Sequence, residues 1–176
     1  KEITIEADVV SRYVWRGTDY GNAAAFQPTI EGQIGPVSLG AWGSWSIIPI
    51  VTKDKDAYMG NECDLYASVS FGPLNFTLTD YFNPTYYDKY GDLFDSDKHV
   101  FELGIGTDAG PISLFAASNI SGDDDSSAYV EINYEMLSIG LGNGSYTNKG
   151  EFAPVSIGIS GTRDNYFASY ILNPDQ

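Results

Sequence analysis

Near its start the chain reads Ile3-Thr4-Ile5-Glu6-Ala7-Asp8-Val9-Val10-Ser11-Arg12-Tyr13-Val14-Trp15-Arg16-Gly17, and the period of this stretch decides the fold. The odd positions are Ile3, Ile5, Ala7, Val9, Ser11, Tyr13 and Trp15. The even positions carry Glu6, Asp8, Arg12 and Arg16. Side chains alternate across a strand, so the pattern predicts one long strand, Ile3–Val14, with an apolar face and a charged face. An apolar face ending in Tyr and Trp suits a membrane-embedded strand whose aromatics sit at headgroup level. The charged face requires water or partners, as a barrel interior supplies.

The same period recurs along the chain. It predicts strands at Phe26–Ile34, Val37–Ile47, Glu62–Phe71, Leu74–Phe82, His99–Thr107, Ile112–Ile120, 129–136, Leu137–Gly144, 155–160 and Tyr166–Leu172. In the strand at 155–160, Val155, Ile157 and Ile159 share the apolar face. The last strand is apolar on both faces, so its direction is open. Asp80 interrupts the apolar face of its strand and is placed at the rim. Connections alternate in length. Gly35-Pro36, Gly72-Pro73, Ala109-Gly110-Pro111 and Met136-Leu137 are tight, whereas 17–25, 49–61, 83–98 and 121–127 are long. Short turns at one end and long loops at the other characterise outer-membrane barrels. Closure also removes the edges that such apolar strands expose. The fold class expected is therefore all-β, an antiparallel transmembrane up-and-down β-barrel in a single domain. Eleven strands are readable. Antiparallel closure needs an even number, so about twelve are expected in the native form, with a strand missing after Asn173-Pro174-Asp175; ten is the next count.

Composition narrows the function classes. Asp+Glu is 24 against Lys+Arg 9, a net charge of -15. That argues against nucleic acid, which calls for basic surface. A single cysteine, Cys63, allows neither an intrachain disulfide nor a thiolate cluster. No run approaches the ~18 apolar residues of a transmembrane helix. A first residue other than Met is expected of an exported chain whose signal peptide has been removed.

Several motifs, in order, resemble a known family: Val10-Ser11-Arg12-Tyr13-Val14-Trp15-Arg16-Gly17, Phe26-Gln27-Pro28 with Gly32, Gly40-Ala41-Trp42-Gly43-Ser44, Glu62-Cys63-Asp64-Leu65-Tyr66 and Asp80-Tyr81-Phe82-Asn83-Pro84. They cover most of the first half and resemble the TorF-like outer-membrane porin proteins. The second half shares only the hairpin rhythm. The resemblance implies a bacterial outer-membrane location and a barrel with a final strand after an Asn-Pro-Asp turn. It implies a transport role without naming a substrate.

The polar face gathers the candidate pore-lining residues Glu6, Asp8, Glu31, Glu62, Asp64, Glu102, Glu131 and Glu135, opposed by Arg12 and Arg16. Rings of one charge select ions by sign, which favours small polar or cationic solutes. Hydrogen bonding and ion pairing that fill a narrow barrel are the alternative. Arg12 and Arg16 either pair with Glu31 or form a constriction, with the ion pair preferred. Tyr13, Trp15, Trp45 and Phe82 are the expected membrane-interface aromatics, joined by Tyr86, Tyr87 and Tyr90. Asp123, Asp124 and Asp125, and separately Asp92, Asp95 and Asp97, are weak Ca²⁺ candidates that lack EF-hand spacing. His99, the only histidine, is expected at the outward rim, near Ser118 or Ser121. No nucleophile elbow surrounds them, so no enzyme and no cofactor are expected. The partners expected are membrane lipid and lipopolysaccharide, small polar solutes and other envelope proteins. The runner-up reading is a non-conducting structural or partner-binding barrel. A soluble β-barrel or sandwich is the third.

Overall fold

Three of the tight turns repeat one device. Gly35, Gly72 and Gly110 hold φ of 64°, 60° and 64°, and a proline follows each. A positive-φ glycine followed by a residue fixed near -65° is what a two-residue hairpin turn with strand-matching twist asks for. These turns set the register of every strand they join, and the alternating side chains then fall on constant faces.

The computed structural model describes residues 3–51, 56–84 and 93–176. The protein is all-β apart from short 3-10 turns, one of them Ser96–Lys98. One antiparallel sheet contains eleven strands in sequence order: β1 (Ile3–Val10), β4 (Ala25–Ile34), β5 (Val37–Ser46), β8 (Asn61–Phe71), β9 (Leu74–Phe82), β10 (His99–Ala109), β11 (Ile112–Ser121), β12 (Ala128–Tyr134), β13 (Leu137–Gly144), β14 (Gly150–Arg163) and β15 (Tyr166–Leu172). Two small hairpins stand apart from it: β2 (Val14–Trp15) with β3 (Thr18–Asp19), and β6 (Ile50–Val51) with β7 (Ala57–Tyr58).

The two faces of the sheet differ sharply. Ile5, Leu39, Leu65, Leu103 and Ile157 are 44–75% exposed. On the opposite face Glu62, Asp64, Glu102 and Tyr129 are buried. The buried apolar cluster is Tyr129, Tyr146 and Val155, with Trp15 and Phe115 packed against it. It therefore lies on the polar side, around the β2–β3 hairpin. That hairpin touches β10 through Arg16 and Glu102, β9 through Trp15 and Tyr81, and β5 through Tyr13 and Trp42. It also meets β14, since a Cβ on Gly17 would fall 1.8 Å from the Val155 carbonyl oxygen. A sheet that meets one hairpin from so many strands is curled around it. Gly40 permits this curl, because the ring of its cross-strand partner Tyr66 lies over it where a side chain would otherwise stand.

The edges of the sheet face each other without pairing. β1 and β15 have one neighbour each, and with eleven antiparallel strands they run in the same direction. They flank a cleft of about 750 Å³ lined by residues 7–14 and 165–171.

Register also settles β15. Leu172, Tyr170 and Ala168 pair with Ile157, Ile159 and Gly161, so they share the apolar face, and Phe167, Ser169 and Ile171 take the polar one. Two expectations change. In β14 the register slips opposite Gly140–Leu141, so Val155 has no cross-strand partner and is fully buried on the polar side rather than the apolar one. A bulge re-aims a side chain in this way. Glu135 leaves the sheet altogether. It holds φ 50° in the two-residue turn between β12 and β13, at the tight-turn end, so it is not a lumen residue.

Candidate functional site: a hairpin inside the curled sheet

The first strand ends early. It stops at Val10, and Arg16 (φ 49°) and Gly17 (φ 82°) turn β2 back on β3. The amide of Tyr20 donates to the Tyr13 carbonyl at 2.8 Å, which closes the neck of the excursion. Tyr13 and Trp15 are consequently not interface aromatics. Tyr13 stacks on Tyr20 (5.3 Å between centroids) and leans on Trp42 (5.5 Å), while Trp15 packs against Tyr81 and Tyr146 (5.4 and 5.7 Å). Trp45 and Phe82 keep the apolar face. Phe82 is buried there and stacks on His99.

Arg16 is the centre of the site. Its two terminal nitrogens donate to both Glu102 oxygens at 2.5 and 2.8 Å, and its Nη1 also donates to the Tyr146 hydroxyl at 2.5 Å. Tyr81 donates to Glu102 at 3.1 Å. The side chains of Arg16 and Glu102 are only 6% and 3% exposed. The guanidinium carbon also lies 4.2 Å from the Trp15 ring centroid and 4.6 Å from that of Tyr129. A bidentate pair is geometrically specific, and burial raises the importance of keeping it intact. Glu31 is not its partner. Glu31 accepts from Tyr66 at 3.0 Å, and Arg12 pairs with Asp19 at 3.0 Å and also donates to Asn22.

The remaining acids divide into groups. Glu6 and Asp8 lie exposed on the polar side of the edge strand β1. Glu131 accepts from Tyr129 at 2.6 Å and from Asn133 at 3.0 Å. Glu62 and Asp64 are buried two residues apart on β8; Asn83 donates to Glu62 at 3.4 Å, and Oδ1 of Asp64 has no hydrogen-bond partner among the described residues. The hairpin divides the interior. On the long-loop side lies a cavity of about 200 Å³ bordered by Tyr13, Asp19 and Glu62. Toward the tight turns lies one of about 450 Å³ bordered by Arg16, Glu102 and Glu131.

The loop and rim candidates resolve differently. Asp123 turns its carboxylate on its own loop, accepting from Asn119 (2.8 Å), the Ser127 amide (2.8 Å) and the Asp125 amide (3.1 Å). Asp95 accepts from the Asp97 amide at 3.2 Å. Among the described residues no three His, Cys, Asp or Glu side chains converge as metal ligands, and Asp123 uses its carboxylate on its own loop. Asp92 and Tyr86, Tyr87 and Tyr90 lie outside the described residues. His99 contacts Asp80 through Nδ1 at 2.7 Å and the Leu93 carbonyl through Nε2 at 2.9 Å, which gives the misfit Asp80 a partner. Ser118 donates to the Asn119 carbonyl at 3.5 Å.

Partial burial would push the Asp123 carboxyl up, but the bonds from Ser127, Asn119 and Asp125 hold it below the ordinary aspartate value. A depressed folded-state pKa stabilises above the unfolded value, near 3.9, and that contribution is lost as pH falls through the folded value. Hydrogen exchange at the Ser127 amide is therefore expected to speed up, beyond its intrinsic pH dependence, as pH drops below about 4. In Asp123→Ala this amide should be unprotected already at neutral pH; equal protection in both proteins rejects the assignment.

Compared with protein-family models, curated proteins and solved structures, the chain matches none.

Proposed function

We propose that this chain is a β-barrel of the bacterial outer membrane that offers small polar and cationic solutes a narrow passage constricted by its inserted hairpin. One observation carries the reading: an exposed apolar face, broken at Asp80, covers the sheet on the side away from the hairpin, while Glu62, Asp64, Glu102 and Glu131 are on the hairpin side. Water-soluble monomers rarely expose apolar patches larger than a few hundred Å². Lipid makes this arrangement favourable. The resemblance to TorF-like porins points the same way. Closure is part of the proposal. The parallel directions of β1 and β15 call for one further strand, antiparallel to both, in the cleft between them, which brings the number to twelve.

The membrane reading has its own test. Leu103→Lys places a charge midway along β10 on the apolar face. In lipid this is expected to cost about 2–4 kcal/mol of folding free energy, measured by urea unfolding in vesicles. A cost within about 0.5 kcal/mol, normal for a water-facing surface position, would falsify the reading. The passage is tested separately, by conductance in planar bilayers. Stepwise cation-selective current is expected. The filled middle of the sheet favours one competing function, a barrel that conducts nothing and serves partners or structure. Absence of current in repeated insertions of folded protein would establish that one instead.

A further inference from the structure

Glu62 and Asp64 pose a problem of charge. Both are more than nine-tenths buried, at 8% and 6% exposed. Two residues apart on β8, they share a face. Buried carboxylates are ordinarily paired with a cation or neutralised. Among the described residues, Arg12 is occupied by Asp19 and Arg16 by Glu102, and neither acid has an ion-pair partner. Asp64 has an oxygen without a hydrogen-bond partner among the described residues, but it does not line the cavity that Glu62 borders. Beside Glu62 lies the cavity of about 200 Å³ on the long-loop side of the hairpin. No lysine or arginine among the described residues lines it. Its polar wall includes Glu62, Asp19, Ser44 and Asn83, and its apolar wall includes Ala23, Ala25 and Ile50. Ile50 fits closely there, since a Cβ on Gly21 or Gly60 would meet its side chain at 2.3 or 2.5 Å.

This lining sets a buried acid and aliphatic side chains around one cavity. A dry cavity of about 150 Å³ accommodates benzene, so this one suits a ligand of about six heavy atoms. From this geometry we infer that the cavity is a binding site for small primary alkylammonium ions, with the ammonium group on Glu62 and the alkyl chain against Ile50, Ala23 and Ala25. The ammonium supplies the N–H donors that the polar wall, rich in acceptors, can receive. A neutral alcohol of the same length offers Glu62 no cation. An anion is repelled. The site names the solute class for the passage proposed above and rests on that reading for its purpose, although the binding itself does not require conduction.

The test uses the full chain folded in detergent micelles, titrated calorimetrically at fixed ionic strength. The probes are n-butylammonium, n-butanol and n-butyrate. Saturable binding of butylammonium is expected, at least tenfold tighter than butanol, with no binding of butyrate. Glu62→Gln, which keeps the side-chain shape, should weaken butylammonium at least tenfold and leave butanol unchanged. Equal affinity for butylammonium and butanol overturns the inference, and that comparison stands even if the variant does not fold. Unaltered binding by a folded Glu62→Gln also overturns it. In bilayers, current without charge-selective binding discards the site and keeps the passage. Charge-selective binding without current does the reverse.

Discussion

Glu102→Ala is expected to lower the free energy of unfolding by about 3–5 kcal/mol, the cost of stripping a buried ion of its partner. Glu102 takes both terminal nitrogens of Arg16 as well as the Tyr81 hydroxyl. Without it the guanidinium, 6% exposed, retains the Tyr146 hydroxyl and the faces of Trp15 and Tyr129. A cation over an aromatic ring contributes about 0.5–2 kcal/mol, so these contacts do not make up the loss. The reciprocal variant supplies the control. Arg16→Met combined with Glu102→Leu removes both charges, and replacing both partners by apolar groups is often close to neutral. The double variant should therefore unfold at a higher urea concentration than Glu102→Ala. If it is the weaker of the two, the pair is not what secures the hairpin.

The second large effect concerns current. The Tyr20 amide meets the Tyr13 carbonyl at 2.8 Å, so Val14–Asp19 can be exchanged for two glycines without stretching the neck. This deletion joins the cavities of about 200 and 450 Å³. Single-channel conductance is expected to rise several-fold. Arg16 and Asp19 leave together, so net charge is unchanged, and cation preference is expected to persist because Glu102, Glu131, Glu62 and Asp64 stay. Unit conductance unchanged from the parent would show that the hairpin does not set the narrowest point.

The sheet is largely legible because an apolar face and strand geometry impose one period on most of its strands. Leu74–Phe82 and Leu137–Gly144 fall where alternation and turn residues place them. The failures have a common cause: alternation does not reveal where a chain leaves its sheet. Tyr13 and Trp15 continue the period of β1 although the chain has already departed at Ser11. The available signal was turn chemistry, Arg16-Gly17 followed by Thr18-Asp19-Tyr20-Gly21-Asn22, which suits a hairpin better than a loop over the rim. The bulge at Val155 also had a marker. Pro154 cannot donate to a ladder, and proline inside a sheet is confined to edges and bulges. Glu135 had no marker, since nothing in Tyr134-Glu135-Met136 announces a positive φ. The pairing of Arg16 with Glu102 joins residues 86 apart, and no local pattern encodes a distance of that kind.

That separation bears on the order in which the molecule is assembled. Arg16 is held by residues 86 and 130 positions downstream, and the Gly17 carbonyl accepts from Asn173, 156 positions away. Contacts this remote are reached only after the intervening chain has been ordered, so they form late and slowly. The hairpin is thus fastened among the last. The curled sheet stays empty in its middle until its final strands arrive, and the hairpin is seated only when the sheet around it is nearly complete.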